Sequence, residues 1–379
     1  MREPDTIVIG AGTVGAAIAW GLARGGQQVL VLDGGDTDFR AARANFGLVW
    51  VQGKGPGMPA YQRLTRQSAD LWPAFLRDLA EVSGGVQVDY ERRGGIALTF
   101  GDTGHDQRRA LIARLEAERL ADDPASGATD IEMIDRRALQ GLLPDLPLGA
   151  TVSGASFCWR DGHVNPLHLL ASLHAGFQRL GGDLRGNTRV SAIRPEAGGF
   201  AVTSDRGTWR AARVVIAAGI ASPALARQLG LEVPIRAERG QVLVTQRIAP
   251  VLPYPCSGLR QTADGTIMIG ATKENVGEDV STSVRASGWL ARKTVDISPD
   301  FARLQLVRHW SGLRSLSPDG CPVYVQSADH PGAFVAGCHS GVTLAAVHAA
   351  RLAPAIASGT LSPAFDPFHN RRFHVQAAS

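Results

Sequence analysis

Apolar and small residues at the start of the chain follow a strand–helix–strand pattern. Thr6-Ile7-Val8-Ile9 is a short β-branched run that ends in glycine, which predicts a buried parallel strand. The Ala-rich residues 14–24 predict a helix that Gly25-Gly26 ends, and residues 28–32 predict a second strand. The first ~35 residues therefore have the length and order of a complete βαβ unit.

The pattern becomes irregular after this unit and then turns helical. Residues 40–60 are rich in Gly, Asn and Pro, which predicts a loop. Residues 61–82 have apolar positions at helical spacing, and we interpret this stripe as core packing. Antiparallel strands are predicted at 86–90 and 96–100, followed by an exposed amphipathic helix at 106–120.

A second α/β pattern begins near Gly162. It predicts a helix at 166–180, a strand near Val190, a hairpin around Gly207 and a buried strand at 214–216. Strands return between 241 and 270, where Asp264-Gly265 is a hairpin turn signal. Near the end, a strand at 333–336, a glycine turn and an Ala-rich helix at 344–356 repeat the order of the opening unit.

These alternating blocks predict an α/β fold (α+β overall) with two interleaved domains. The chain has 379 residues, more than the roughly 250–300 that a single core usually holds. One domain is expected from segments 1–50, 150–237 and 312–379. The second, β-rich and α+β in character, is expected from segments 51–149 and 238–311.

The composition, 44% hydrophobic and 20% charged, is that of an ordinary globular enzyme. No apolar run reaches the ~20 residues that span a bilayer, and no signal-peptide pattern is present, so we expect a cytoplasmic protein. The formal charge is +4, but the arginines are scattered, which argues against nucleic-acid binding. None of the four cysteines has C-x-x-C spacing, so we expect no disulfide framework, metal site or iron–sulfur cluster within this chain.

Gly10-Ala11-Gly12-Thr13-Val14-Gly15 is a G-x-G-x-x-G between the first strand and the first helix. Gly10 permits the tight turn, Gly12 lets a pyrophosphate approach the backbone, and Gly15 lets the helix pack on the strand. Asp33, at the end of the second strand, can bind the adenosine ribose. A dinucleotide site is therefore predicted, with NAD and FAD both open at this point.

The segment after the βαβ unit favours FAD. Arg40-Ala41-Ala42-Arg43-Ala44-Asn45-Phe46-Gly47 combines small and polar residues that suit close wrapping on a flat ring. Its continuation into apolar Leu48-Val49-Trp50-Val51 argues against a fully exposed loop. Gly53-Lys54-Gly55-Pro56-Gly57 lacks a preceding strand and contains proline, so we interpret it as a loop rather than a second fingerprint.

Motifs over nearly the whole chain carry a family resemblance. Besides the fingerprint and the Arg-x-x-Arg-Ala-Asn loop, they are Asp161-Gly162-His163-Val164-Asn165-Pro166, residues 214–219, Arg239-Gly240-Gln241, Trp310-Ser311-Gly312-Leu313-Arg314, Ser317-Pro318-Asp319-Gly320-Cys321-Pro322 and Gly337-Cys338-His339-Ser340-Gly341. Together they resemble the D-amino-acid oxidase, glycine oxidase and sarcosine oxidase superfamily of FAD enzymes. Residues 45–50 and 339–344 further resemble the flavoprotein β subunits of D-hydroxyproline dehydrogenase and bacterial opine oxidases.

The resemblance implies a Rossmann-like FAD-binding domain of the glutathione-reductase type, interleaved with a substrate domain. The N-terminal loop predicted to bind the flavin contains no cysteine or histidine, so the FAD is expected to be non-covalent. The expected cofactor-binding residues are Gly10, Gly12, Val14, Gly15, Asp33, Arg40, Arg43, Ala44, Asn45, Gly47, Val190, Ala218, Gly219, Gly312, Gly337, Gly341, Val342 and Thr343. Of these, Arg43, Ala44, Asn45 and Gly47 would line the isoalloxazine. Val190 would contact the adenine, and Ala218 and Gly219 the pyrophosphate. The backbone of 337–343 would face the flavin N1/O2 edge, where reduction develops negative charge.

The resemblance also implies the chemistry: hydride transfer to FAD from a carbon that bears an amine, which leaves an imine. In the resembling oxidases the Arg of Gly-Leu-Arg binds the substrate carboxylate, so Arg314 is the expected anchor. An ion pair of Arg314 with an acid such as Asp319 is the alternative. For His339, a flavin or substrate contact and a structural role both stay open. Gly337-Cys338 replaces the Gly-Asp pair of flavin monooxygenases, which disfavours that class.

The substrate is expected to be D-hydroxyproline or an opine. An opine would need further charged groups, for which Arg260, Lys273 and Glu274 are candidates, and the lack of a dense charge cluster leans the expectation towards hydroxyproline. By resemblance, the chain works in a hetero-oligomer with partners that carry an iron–sulfur cluster or a second cofactor. The alternatives are a stand-alone oxidase that uses oxygen and a subunit that holds flavin only as an electron relay.

Overall fold

The computed structural model describes residues 3–35 and 41–373. The strands are β1 (Thr6–Ile9), β2 (Val29–Leu32), β3 (Leu48–Val49), β4 (Tyr90–Glu91), β5 (Gly95–Phe100), β6 (Ile131–Asp135), β7 (Val152–Cys158), β8 (Gly162–Val164), β9 (Asp183–Arg185), β10 (Val190–Glu196), β11 (Gly199–Ser204), β12 (Gly207–Ala211), β13 (Arg213–Ile216), β14 (Arg236–Arg247), β15 (Leu259–Gln261), β16 (Thr266–Gly270), β17 (Leu306–Leu316), β18 (Val323–Gln326) and β19 (Ala333–Gly337).

The helices are α1 (Thr13–Arg24), α2 (Pro59–Val82), α3 (Gly101–Asp122), α4 (Arg136–Leu142), α5 (Pro166–Arg179), α6 (Ser222–Arg227), α7 (Val284–Ile297), α8 (Ala345–Val347) and α9 (Ala353–Ser358). A π-helical turn at His348–Leu352 joins α8 to α9 without a break. Across residues 3–35 and 41–373, no helix is both long and apolar enough to cross a bilayer.

A six-stranded sheet contains the predicted βαβ unit. Its strand order is β18-β19-β13-β1-β2-β9, and β1 pairs in parallel with both β2 and β13. Every residue of β1 and β2 is buried, as expected for parallel strands that are covered on both faces. The opening prediction is therefore confirmed, as is the later strand at β13.

Alternate residues of these strands face two different layers. Val8 and Val31 pack against α1, α2, α5 and the C-terminal helix. Ile7 and Leu30 pack on the opposite side, against the antiparallel strands β10, β11 and β12, which contribute Phe200 to that core. The period of two along each strand thus builds a three-layer arrangement.

The other strands form antiparallel sheets with the orders β15-β16-β14-β17, β5-β7-β6 and β3-β8-β4. The first two share an apolar core that includes Ile96, Leu243 and Ile269. A parallel-strand sheet is thus combined with several antiparallel sheets, and the predicted mixed α/β fold class is confirmed.

The antiparallel strands predicted at 86–90 and 96–100 correspond to the short β4 and to β5, and these two strands do not pair with each other. β4 pairs with β8, and β5 pairs with β7. All six residues of β5 have partners in β7, whereas the two-residue β4 could offer only a short ladder. The longer ladder satisfies the hydrogen bonds of more backbone groups, so β5 pairs with the distant strand β7 rather than with the nearby β4.

Candidate active site

The turn between β1 and α1 brings backbone close to the helix N-terminus. Gly10 has a φ of +104°, and a Cβ there would lie 2.5 Å from the Ala217 carbonyl oxygen. A Cβ on Gly15 would lie 1.9 Å from the Gly10 carbonyl oxygen, so both positions require glycine. Gly12 is the N-cap of α1 and has no side-chain cap. A Cβ on Gly12 would meet only Ala42 among the described residues, at 3.9 Å, which leaves open space beside the first N–H groups of the helix.

Asp33 follows β2 directly and lies beside this turn. Its Oδ2 accepts a hydrogen bond from Ala11 N at 2.7 Å, and its Oδ1 accepts one from Gly35 N at 2.9 Å. The Asp33 carbonyl oxygen accepts from Thr188 N at 2.7 Å, two residues before Val190. The residues predicted to bind the adenosine, Asp33 and Val190, thus lie in neighbouring segments. Arg40 lies outside the described residues.

Two later segments approach the same turn. A Cβ on Gly341 would lie 3.1 Å from Val14 Cγ2, which places the turn after β19 against the first turn of α1. The Cα of Ala218 would lie 3.0 Å from a Cβ on Gly10, and Gly219, with a φ of +59°, follows it. The structure therefore gathers the predicted pyrophosphate residues around one helix end.

A cavity of about 250 Å³ is lined by the loop after β2, by strands of the four-stranded antiparallel sheet and by the turn after β19. Of the predicted site residues, its lining includes Ala44, Asn45, Gly312, Arg314, His339, Val342 and Thr343. Arg43 is exposed and Gly47 is buried, and neither is part of this lining. Asn45 instead shapes the loop, because its Oδ1 accepts a hydrogen bond from Gly47 N at 2.7 Å.

Arg314 lies on β17 with its guanidinium over Gly240 of β14, where a Cβ would be 2.4 Å from Nη2. Its Nη1 donates to Glu238 Oε1 at 3.1 Å and to the Thr272 carbonyl oxygen at 2.9 Å. Burial lowers the pKa of Arg314 and Glu238 opposes that shift, so the guanidinium stays charged. The alternative interpretation, an ion pair of Arg314 with a nearby acid, is met by Glu238 and not by Asp319, which pairs with Arg372 at 2.7 Å.

His339 follows β19 and lines the cavity. Burial lowers its pKa to about 3, helped by the charges of Lys54 and Arg314, so the imidazole is neutral at physiological pH. Gly337, two residues earlier, is buried where a Cβ would lie 2.4 Å from Ile235 Cδ1, which indicates a packing requirement.

Thr343 fixes the turn after β19 to the end of the loop after β2, which the sequence predicts to be the flavin-binding loop. Its Oγ1 accepts a hydrogen bond from Trp50 N at 3.1 Å and donates to the Leu48 carbonyl oxygen at 3.3 Å. Its own carbonyl oxygen accepts from Ser68 Oγ and Trp72 Nε1 of α2, at 2.7 and 3.0 Å. The turn therefore keeps a defined position against the loop and α2.

The sequence interpretation missed Lys54. Residues 53–57 do form a loop, as predicted, but Lys54 lines the cavity and donates from Nζ to Ser340 Oγ at 2.7 Å. The one available signal was composition: the chain has 39 basic residues, and only Lys54, Lys273 and Lys293 are lysines. A lysine soon after the predicted flavin-binding loop is therefore unusual in this chain.

The comparison with known families agrees with this geometry. Residues 5–355 match the family described as "DAO: FAD dependent oxidoreductase". The chain belongs to this family. The cofactor prediction, FAD, and the enzyme class, an oxidoreductase, are confirmed with it.

Individual relatives agree with the family. A subunit of opine oxidase from Agrobacterium tumefaciens (strain Ach5) is 41% identical over 378 residues, which covers 100% of both proteins. Glycine oxidase of Bacillus licheniformis is 26% identical over 327 residues, 85% of this chain and 84% of the relative. The crystal structure of glycine oxidase from Geobacillus kaustophilus has the same fold, with a TM-score of 0.85 at 23% identity over 97% of this chain and 98% of that one.

The residues of this member of the family fit FAD. The open space at Gly12 and the uncapped start of α1 suit the pyrophosphate, and the Asp33 carboxylate beside them suits the ribose hydroxyls. The cavity lining includes small and apolar residues, among them Ala44, Gly312 and Val342, which suit a flat ring.

Proposed function

We propose that the protein oxidises the C–N bond of a carboxylate-bearing secondary amine of the opine type. The observation that carries this proposal is Arg314, a charged guanidinium in the wall of the cavity between the flavin-binding loop and β14. The 41% identity to a subunit of an opine oxidase supports the opine class over hydroxyproline. When bound, FAD accepts a hydride from the carbon that bears the nitrogen.

The protein's part in this reaction is binding and orientation. Arg314 binds the carboxylate on the reacting carbon through two parallel hydrogen bonds, which fixes that carbon relative to the ring. His339 stays neutral and adds no positive charge near the amine, whose lone pair must be free to form the C=N bond. As the hydride leaves carbon, the N–H proton is released, and the product is an imine that water can hydrolyse.

Of the three additional charged groups named from the sequence, two have partners within the protein and one is exposed. Arg260 is buried and donates to the Phe46 carbonyl oxygen. Glu274 pairs with Arg239 at 2.7 Å, and Lys273 is exposed. None of these three groups lines the cavity, so the second carboxylate of an opine must be bound by other residues.

Anaerobic bleaching of the bound flavin tests this function. The panel contains octopine, nopaline, D-hydroxyproline, D-proline, sarcosine and glycine, and we expect the two opines to reduce the flavin most rapidly. If D-hydroxyproline alone reduced the flavin, the substrate would be this compact amino acid and not an opine. If only sarcosine or glycine bleached the flavin, the proposed substrate class would be wrong.

We also propose that the chain is the catalytic subunit of a hetero-oligomer. The relative with 41% identity is named as a subunit, and it aligns over its full length. In such an assembly, a partner with an iron–sulfur cluster or a second cofactor would take electrons from the reduced flavin. The main alternative is a stand-alone oxidase that uses oxygen, for which the glycine oxidase relative is the precedent.

A further inference from the structure

Lys54 is a second cationic side chain in the cavity that contains Arg314. Its backbone is fixed, because Lys54 N donates to the Val51 carbonyl oxygen at 3.1 Å, and Val51 N donates to the buried carboxylate of Asp161 at 2.5 Å. Its Nζ donates to Ser340 Oγ at 2.7 Å. In the described part of the chain, no carboxylate lies within ion-pair distance of this ammonium.

Ser340 has both of its acceptor positions filled. Its Oγ accepts from Lys54 Nζ at 2.7 Å and from Tyr61 Oη at 2.8 Å, and a hydroxyl oxygen has two lone pairs. Burial raises the pKa of Tyr61, so the phenol keeps the proton that it donates. With these two bonds, the hydroxyl hydrogen of Ser340 has no hydrogen-bond acceptor among residues 3–35 and 41–373. Because Ser340 lines the cavity, a ligand there is the available acceptor.

The charges of the cavity lining are positive. Among the described residues that line it, Arg314 and Lys54 are cationic and none is acidic. Glu238 pairs with one nitrogen of Arg314 from the neighbouring strand, whereas Lys54 has only the Ser340 hydroxyl. A half-buried ammonium without a counter-ion is unfavourable, and the loss of solvation lowers the pKa of Lys54 to about 8. A ligand with a carboxylate near Lys54 would remove this penalty.

We propose that Lys54 and Ser340 form a second carboxylate-binding subsite, which makes a secondary amine with two carboxylates the preferred substrate. The inference rests on the proposed function, in which Arg314 binds the first carboxylate. The Lys54 ammonium and the Ser340 hydroxyl each donate one hydrogen bond to the second. A monocarboxylic amine leaves Lys54 unpaired, so the subsite selects by the charge at the far end of the substrate.

Two unreactive thioethers separate binding at this subsite from oxidation. Thiodiacetate carries two carboxylates on a sulfur that replaces the amine nitrogen, and (methylthio)acetate carries one. Their Kd values are measured on the FAD-loaded protein from the change in the visible flavin spectrum. In Lys54→Met, the Kd of thiodiacetate should rise about 10- to 100-fold, because a charged hydrogen-bond donor is lost. The Kd of (methylthio)acetate should change by less than about twofold.

Two further variants serve as controls, and a third tests the subsite at Ser340. Lys54→Arg keeps the charge and should retain most of the preference for thiodiacetate. Arg210→Met removes an exposed cation that pairs with Glu196 outside the cavity lining, and it should leave both Kd values unchanged. Ser340→Ala should weaken thiodiacetate binding about 3- to 10-fold through the loss of one donor, and it tests the subsite even if Lys54→Met fails to retain FAD.

The unmodified protein provides an independent readout through pH. A bound carboxylate favours the ammonium, so the pKa of Lys54 rises from about 8 on binding. Above pH 8, thiodiacetate binding therefore takes up a proton, and its Kd should rise about tenfold per pH unit. Lys54→Arg should abolish this rise. The ionisable groups that face Lys54 are Tyr61, Asp161, Lys273, Cys321, Cys338 and His339. The titration of these groups affects the binding of both thioethers, so its effect cancels in the ratio of the two Kd values.

The outcomes separate the subsite from the proposed function. Equal losses of affinity for the two thioethers in Lys54→Met, or equal pH profiles in the unmodified protein, would overturn the subsite and leave Arg314 as the sole anchor. If Lys54 acted only as a proton acceptor in the oxidation, Lys54→Met would leave both Kd values unchanged, because neither thioether reacts. That result would also overturn the subsite. If the proposed function itself is wrong, Arg314→Lys will leave both Kd values unchanged.

Discussion

At the scale of single residues, Arg314 is positioned by its neighbours on β14. Gly240 leaves the space for the guanidinium, since a Cβ there would be 2.4 Å from Nη2 and 2.6 Å from Cζ. Glu238 and the Thr272 carbonyl oxygen hold Nη1. The other N–H groups of Arg314 have no hydrogen-bond partner among the described residues, and their planar arrangement matches a carboxylate. The surrounding residues thus fix the guanidinium and leave part of it for substrate.

Arg314→Lys should lower kcat/KM about 10- to 1000-fold with FAD content unchanged, because an ammonium cannot form two parallel hydrogen bonds. The measurement is the rate of anaerobic flavin reduction against the concentration of the best substrate in the panel. Arg210→Lys, in an exposed ion pair with Glu196, is the matched control and should have unmodified kinetics. Normal kinetics in Arg314→Lys would remove the carboxylate anchor.

At the scale of secondary-structure elements, the sequence pattern was sufficient to predict those elements that depend on contacts between residues close in the chain. The β-branched run and the glycines predicted β1, α1 and β2, and the helix predicted at 61–82 is α2. The pairing of β5 with β7 was missed because a strand's own pattern does not specify its neighbour. Lys54 and Ser340 are 286 residues apart in the chain, so no spacing could connect them. The glycine turn was predictable from sequence, and the Lys54–Ser340 contact was not.

The glycine turn gives a direct test of the FAD-binding element. Gly15→Ala should lose FAD, because a Cβ 1.9 Å from the Gly10 carbonyl oxygen must displace the turn or α1. FAD per chain is measured as the flavin released by acid precipitation. Gly104→Ala, in α3, is the control, since its Cβ would meet no described atom within 4 Å. Full FAD content in Gly15→Ala would contradict this role, and yellow colour left in the pellet would contradict non-covalent binding.

At the scale of the whole molecule, the cavity lies where the chain passes between the two domains that we propose from the sequence. The proposed boundaries at 237/238 and 311/312 fall inside β14 and β17, which pair with each other along most of their length. Gly240, Gly312 and Arg314 of these strands line the cavity, together with the loop after β2. We propose that this cavity takes the flavin ring and one amine substrate, so the electrons of the reduced flavin must then pass to an acceptor.

We expect the lone chain to be reduced by substrate and to turn over slowly with oxygen. Its sequence contains one dinucleotide fingerprint, at residues 10–15, and no C-x-x-C spacing, so in the proposed hetero-oligomer a partner subunit provides the next electron carrier. Anaerobic addition of the best substrate should bleach the flavin fully. In air, peroxide should form much more slowly than an artificial dye acceptor is reduced, because the dye replaces the missing partner. Peroxide production as fast as flavin reduction would instead identify the chain as a self-sufficient oxidase, and the partner would then have no part in electron transfer.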